Sequence, residues 1–153
     1  MSNPDDLGVA GKMLLASCMA GMAFNNVGLG LVHSLPQPIG AYFQVPHGLA
    51  CALFLPAVME FNASACPEKF VSIADAMGQN VSGLQPEAAA KKALAAVTDL
   101  LERVGLPRKL SRLGISFHLD PKMVDDALAA APTANNPRKA DRMQITELFE
   151  AAA

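Results

Sequence analysis

The chain has 153 residues, of which 52% are hydrophobic and 17% charged, and its mean hydropathy is +0.27. This length is enough for one domain with a core of its own. The formal net charge is −2 with Lys and Arg dispersed, so the chain lacks the basic stripe of a nucleic-acid-binding protein. Three cysteines in apolar surroundings, Cys18, Cys51 and Cys66, predict reduced, buried thiols and a cytoplasmic location.

One long segment is free of charge. Residues 13–59, a run of 47, contain no Asp, Glu, Lys or Arg. A membrane-spanning helix needs about 20 predominantly apolar residues, and this run is interrupted by breakers and polar side chains: Asn25, Asn26, Gly28, Gly30, His33, Pro36, Gln37, Pro38, Gln44, Pro46 and His47. We therefore expect no membrane partner. We interpret the run as a core segment that is buried partly against protein outside this chain.

The first part of the chain predicts two helical stretches. Asn3 as an N-cap and Pro4 at the first helical position begin a helix over about residues 4–24. This helix is apolar on nearly every face, which is typical of a buried helix. A second stretch over 27–35 ends before Pro36, because a proline disfavours helical geometry in the residue before it.

The next segment predicts a loop followed by a long helix. Residues 36–46 contain three prolines and Gly40, which favour a loop. Pro46 then begins a helix that extends to about Asn62. Pro56 lies inside this helix and predicts a kink.

The rest of the chain predicts ordinary amphipathic helices. They begin at Pro67, at Pro86, at Asp120–Pro121 and near residue 140, and the last ends near residue 152. Only residues 115–119 alternate with period two, and one strand makes no sheet. The sequence thus predicts an all-α fold, a helical bundle forming a single helical domain over residues 1–153.

Two histidines inside the uncharged segment are candidates for chemistry. His33 ends a helical stretch, His47 follows Pro46 at the start of the next helix, and a loop rich in proline and glycine joins them. Buried neutral imidazoles bind metals or hydrogen-bond within the core. The rigid connection favours convergence of the two rings on one point. The third histidine, His118, is expected to be a surface or capping residue.

The flanks of these histidines resemble a known family. The segments are GMAFNNVGLGLVH ending at His33, PIG at 38–40, VPHGLA around His47, LPAVMEFN ending at Asn62 and NPR at 136–138. They are similar to the signature of the iron-containing (group III) alcohol dehydrogenases, with the fourteen-residue histidine spacing of that family. The resemblance extends over almost the whole chain and implies the C-terminal α domain of such an enzyme.

The resemblance implies two of the family's metal ligands. His33 and His47 match the last two of three ligand histidines, while the ligand Asp and the first His lie upstream of anything present here. A nucleotide-binding domain lies further upstream in the family, and neither it nor the early part of the helical domain has a counterpart in this chain. Gly28-Leu29-Gly30 follows no predicted strand and is interpreted as helix punctuation. The resemblance therefore implies a divalent metal, Fe²⁺ or Zn²⁺, and NAD(P) in the complete enzyme, and it leaves open that this chain alone binds neither.

The chemistry of the histidines agrees that ligands are missing. Two neutral imidazoles leave a divalent cation without a charged ligand, and the segment contains no acid. Cys51 follows His47 by four residues on the same helix face, so it is a possible third ligand. The family more often has Asn at that position, and small buried cysteines are common in cores.

Two further residues are assigned by the resemblance. Many members have a histidine where this chain has Gln37, at a position connected with proton relay. Gln37 is therefore the candidate catalytic residue at this position. Because a glutamine side chain does not gain or lose a proton near neutral pH, a proton relay from the substrate through Gln37 is in doubt. Phe24 matches an aromatic near the nicotinamide and is a candidate cofactor contact, with plain core packing as the alternative.

The leading hypothesis is the C-terminal portion of a metal-dependent, NAD(P)-linked alcohol dehydrogenase acting on a small alcohol or aldehyde. We expect little activity from this chain alone. The partners expected are a missing N-terminal portion or partner chain and further copies in a homo-oligomer. One alternative is a non-catalytic helical module or truncated remnant that self-associates or needs a partner. Another is a small metal-binding protein that uses His33, His47 and Cys51.

Overall fold

A computed structural model of the chain describes residues 6–153, and within them it contains helices and no strand. The all-α prediction is thereby confirmed. The helices are α1 Leu7–Val27, α2 Leu31–Ser34, α3 Pro36–Phe43, α4 His47–Ala63, α5 Pro67–Ala76, α6 Pro86–Arg103, a 3-10 helix Leu110–Leu113, α7 Pro121–Ala129, α8 Ala131–Ala134 and α9 Arg142–Ala152.

The main core lies where α2, α3, α4, α7 and α9 meet. Its largest fully buried side chains include Phe54 of α4 and Phe149 of α9, whose rings pack edge to face with centroids 5.7 Å apart. A second cluster lies between α4, α5 and α6, around Met59, Phe70 and Ala93. Because α4 contributes to both clusters, it is the central helix of the fold. Its packing fixes the position of His47, the first residue of the helix.

The helix α1 contradicts the prediction of a buried N-terminal helix. It extends over Leu7–Val27 and has no buried residue, and Leu14, Met19 and Met22 are each more than half exposed. The reason is that no other part of the described chain covers it, although its apolar residues point in every direction. Asp6 caps the helix by accepting from two backbone N–H groups, while the predicted N-cap Asn3 lies outside the described residues. Within residues 6–153, α1 alone is long and apolar enough to cross a membrane, by length and composition only.

The segment between the two histidines is helical, so the predicted loop over 36–46 is wrong. Pro36 and Pro38 both lie in the first turn of α3, where backbone N–H groups have no helical partner and a proline costs little. The helix ends at Gln44, which has a left-handed backbone with φ of 56°. The predicted stretch over 27–35 is divided: Val27 is the last residue of α1, Gly28 with a φ of 80° ends that helix, and helical structure resumes in α2 at Leu31.

Most other element predictions are confirmed. The helices that begin at Pro67, Pro86 and Pro121 are present, and α9 begins with a reciprocal capping box at Asp141. Residues 115–119 form no strand. Pro56 lies inside α4, and the kink there stays a prediction. The expectation of buried cysteines is wrong: Cys18 is exposed on α1, and the other two are partly buried, all three as free thiols.

Candidate metal centre

The first histidine is held on a short helix that is anchored from far along the chain. Its helix α2 begins at Leu31, whose backbone N–H donates to Oδ1 of Asn136 at 3.2 Å. A Cβ on Gly30 would lie 2.8 Å from that oxygen, so only glycine permits the close approach. The close approach of Gly30 and Leu31 to Asn136 thus fixes the backbone just before His33. The side chain of His33 is partly buried.

Asn136 also connects this anchor to the far end of α4. Its side-chain amide and that of Asn62 donate to each other, at 2.6 and 3.1 Å, and Asn136 donates again to the carbonyl of Arg138. The guanidinium of Arg138 donates to the carbonyl of Phe61 and lies 4.1 Å from the centroid of that ring. The segments around Asn62 and Asn136 therefore form one partly buried hydrogen-bonded network, the polar lock, between α2, α4 and the loop before α9. Sequence reasoning noted both segments but not this role.

The second histidine begins α4. Pro46 precedes it as the N-cap, and the turn at Gln44 redirects the chain from α3 into α4. The side chain of His47 is exposed. α2 and α4 also pack against each other, and His47 at the start of α4 therefore lies close to His33 on α2.

The two imidazoles and one thiol converge. Nε2 of His47 lies 3.3 Å from Nδ1 of His33, and the ring centroids are 5.4 Å apart. Sγ of Cys51 lies 3.4 Å from Nε2 of His47 and 4.0 Å from Nδ1 of His33. One donor atom from each residue lies within 4.8 Å of the other two. The predicted meeting of His33 and His47 is thus present, and Cys51 joins it.

The environment favours neutral donors. Burial lowers the pKa of His33, and the neighbouring His47 lowers it further. The ring is therefore neutral at neutral pH, the form that offers a lone pair to a metal. Burial raises the pKa of the Cys51 thiol, so the sulfur keeps its proton until a cation displaces it. In the described part of the chain this cluster includes no carboxylate.

The remaining candidate residues lie at different distances from the cluster. The ring of Phe24, on α1, is tilted against His33 with centroids 6.3 Å apart and is 44% exposed. Gln37 is exposed on α3 and is not one of the three clustered donors. His118 is exposed, as expected of a surface residue, and the cap of α7 is Asp120 instead.

The glycine pair before His33 has a structural use. Gly28 ends α1, and a Cβ there would lie 2.6 Å from Nδ2 of Asn135, while Gly30 packs on Asn136. Both positions serve close packing, as the interpretation of helix punctuation predicts. A separate cleft of about 910 Å³, lined by residues that include Glu60, Arg108 and Arg112, contains none of the candidate site residues.

The chain matches a known family along its whole length. The model of the C-terminal part of the Fe-containing alcohol dehydrogenase family matches residues 1–153. The chain therefore belongs to the Fe-containing alcohol dehydrogenase family, as the sequence motifs indicate.

Named relatives are alcohol and aldehyde oxidoreductases. The 1,3-propanediol dehydrogenase of Klebsiella pneumoniae is 43% identical over 141 residues, which are 92% of this chain and 36% of that enzyme. The lactaldehyde reductase of Escherichia coli K12 is 42% identical over 92% of this chain and 37% of its own length. An NAD-dependent methanol dehydrogenase from Bacillus methanolicus is 34% identical over 99% of this chain and 40% of its own length. The chain thus spans little more than a third of the length of these relatives.

Solved structures give the same match. The crystal structure of a 1,3-propanediol oxidoreductase superposes with a TM-score of 0.92 at 41% identity, covering 97% of this chain and 39% of the other. The fold is therefore that of the helical portion of this enzyme.

Proposed function

We propose that this chain is the C-terminal helical portion of a metal-dependent, NAD(P)-linked alcohol dehydrogenase, in which His33 and His47 are two ligands of a divalent metal. The observation that carries the proposal is the 3.3 Å approach of Nδ1 of His33 to Nε2 of His47 in a chain that belongs to the family over its full length. A pair of ring nitrogens at this separation fits two ligands on one ion.

The reaction proposed is the interconversion of a small alcohol and its aldehyde or ketone. In the oxidation direction the carbinol carbon would lose a hydride, which is the hydrogen with both electrons of its bond, and the hydroxyl oxygen would lose a proton to a base or water. When bound, the metal supplies Lewis acidity toward the substrate oxygen and NAD(P) accepts the hydride. Fe²⁺ and Zn²⁺ both suit imidazole ligands. The relatives include an NAD-dependent methanol dehydrogenase and an NADPH-dependent butanol dehydrogenase, so either nicotinamide is compatible with the family.

The chain's own residues have distinct parts in this proposal. His33 and His47 hold the metal, and the polar lock at Asn136 keeps their helices in place. Phe24 forms an apolar wall beside His33, where it excludes water from the reacting atoms. Gln37 is restricted to hydrogen bonding, because its amide does not titrate near neutral pH.

The other ligands and the nucleotide site are proposed to come from a preceding portion of the enzyme or a partner chain. The exposed apolar face of α1 supports this, because a face of that size is normally covered by protein. We propose that the covering surface belongs to that portion and that the assembled enzyme is a cytoplasmic homo-oligomer. Free cysteines are compatible with a reducing compartment.

A chimera tests the proposal. The matched portion of the Klebsiella pneumoniae 1,3-propanediol dehydrogenase is replaced by this chain, and aldehyde reduction is followed by consumption of NADH together with the metal content. We expect metal-dependent activity in the chimera and none in this chain alone. His33→Ala and His47→Ala should abolish both metal retention and turnover.

His118→Ala is the matched control, since His118 is an exposed histidine outside the cluster. Its activity should equal that of the unmodified chimera. A folded, metal-loaded chimera in which His33→Ala and His47→Ala keep full activity would overturn the proposal.

A further inference from the structure

The third member of the cluster is not needed by the proposed function. Cys51 lies one helical turn after His47 on α4, so its thiol and the imidazole share one helix face. The other two cysteines lie elsewhere, Cys18 on α1 and Cys66 at the start of α5. Proximity to His47 alone follows from the helix. Proximity to His33 requires that α2 be packed against α4.

The three donor atoms have the spacing of one face of a tetrahedral site. Zinc takes nitrogen at about 2.0–2.1 Å and sulfur at about 2.3 Å. Tetrahedral angles then place two nitrogens about 3.4 Å apart and a nitrogen about 3.6 Å from a sulfur. The separations here are 3.3 Å for the nitrogen pair and 3.4 and 4.0 Å for the nitrogen–sulfur pairs. Three donors already close to their positions around an ion need little rearrangement to bind it.

Charge points to the same residue. The cluster in the described residues includes no carboxylate, so in the 153-residue chain by itself the two imidazoles would leave the charge of a divalent cation uncompensated. A thiolate supplies one negative charge inside the cluster, and its proton passes to solvent on coordination. Thiolate together with imidazole favours a borderline-soft ion over a hard one.

We propose that Cys51 is a third ligand supplied by this chain, so that the chain itself binds Zn²⁺ or Co²⁺ through two nitrogens and one sulfur. The remaining positions on the ion are filled by water in the chain by itself and are available to the ligands that the proposed function assigns to the preceding portion of the enzyme. The inference deepens the proposed function and rests on its assignment of His33 and His47 as ligands. Beyond the proposed function, it assigns a sulfur ligand to the site and predicts a preference for borderline-soft ions such as Zn²⁺.

The test uses Co²⁺ and Zn²⁺ with the purified, reduced 153-residue chain. Co²⁺ should give the near-ultraviolet thiolate-to-metal charge-transfer band and the visible bands of tetrahedral Co²⁺. Zinc X-ray absorption of the unmodified chain should show one sulfur at about 2.3 Å beside nitrogen or oxygen at about 2.0–2.1 Å. This second measurement needs no substitution, so a variant that fails to fold cannot obscure the result.

Variants assign the sulfur. Cys51→Ser and Cys51→Ala should lose the charge-transfer band and bind Zn²⁺ at least about tenfold more weakly, because even groups outside the ligand shell change affinity by about 10–100-fold. Cys66→Ala is the matched control, since Cys66 is also a partly buried free thiol but is absent from the cluster. It should keep both the band and the affinity.

Two results would overturn the inference while leaving the proposed function intact. One is zinc bound by the unmodified chain with nitrogen and oxygen ligands only. The other is no binding of Co²⁺ or Zn²⁺ by the chain alone, accompanied by a chimera that is active and dependent on His33 and His47. Failure of the proposed function is seen separately, in a chimera whose activity does not need the two histidines.

Discussion

The helices α1 and α4 are similarly apolar, yet they have opposite environments. Both lie largely within the uncharged run of residues 13–59. α4 buries five residues and contributes to both core clusters, whereas α1 buries none. The difference shows that hydropathy indicates how strongly a segment favours burial, but not which protein surface covers that segment. For α4 the surface is in this chain, and for α1 we propose that it is not.

The largest expected effect comes from a matched pair of leucines. Leu53 on α4 is 4% exposed and Leu14 on α1 is 74% exposed. Leu53→Ala should lower the free energy of unfolding by about 2–5 kcal/mol, because it removes buried methyl groups and leaves a cavity. Leu14→Ala should change it by less than about 0.5 kcal/mol. Urea unfolding followed by circular dichroism measures both, and equal losses would show that α1 is covered in the isolated chain.

The same leucine should behave differently once α1 is covered. In the chimera proposed above, alanine at Leu14, Leu15 or Met19, one at a time, should lower the melting temperature at two or more of the three positions. Leu15 and Met19 lie four residues apart on one face of α1, and Leu14 points to a neighbouring face, so the three positions sample two directions from which a covering surface can contact the helix. Unchanged melting at all three would mean that α1 stays exposed in the assembled enzyme.

The polar lock tests how the site depends on the core. Asn136→Ala leaves the backbone N–H of Leu31 and the amide of Asn62 without their partner, so we expect a loss of about 1–3 kcal/mol in unfolding free energy. Co²⁺ binding at His33 should weaken as well, because α2 loses its anchor. Asn135→Ala is the control, since its side chain is exposed, and it should change stability by less than about 0.5 kcal/mol. Full stability and full Co²⁺ affinity of Asn136→Ala would contradict the anchoring role.

The smallest effect concerns a glycine on α1. A Cβ on Gly21 has no heavy atom within 4 Å, and the residue lies inside a helix. Gly21→Ala should stabilise the isolated chain by about 0.5–1 kcal/mol, because glycine loses more entropy than alanine on becoming helical. In the chimera the gain should shrink if the covering surface approaches α1 closely at this glycine. Thermal unfolding of both proteins, with and without the substitution, measures the difference.

Local sequence signals were sufficient to predict a helix start where the signal lies within the first turn of that helix. The proline starts of α5, α6 and α7 were predictable because proline is suited to the first helical turn. α3 was not predicted, because two prolines close together are also typical of a loop. In the structure both Pro36 and Pro38 lie in the first turn of α3, where proline is tolerated. The exposure of α1 was also out of reach, because it depends on which surfaces the chain supplies.

The residues of the candidate site were predictable only where a local pattern in the sequence relates them. His33 and His47 were identified from their spacing and flanks, and the nearness of Cys51 to His47 follows from helical periodicity. The 4.0 Å approach of Cys51 to His33 depends on the packing of α2 on α4, which no local pattern records. The lock at Asn136 joins residues 105 positions apart, so its function became evident only in three dimensions.

The fourteen-residue separation of His33 and His47 has a consequence for how the site assembles. Closing so short a loop costs little chain entropy compared with bringing together ligands from distant parts of a polypeptide. The two imidazoles therefore lie close together at a small cost in chain entropy, within this chain alone. If His33 and His47 are metal ligands, as proposed, an ion can bind first to this local pair and be enclosed afterwards, when the proposed covering surface docks on α1.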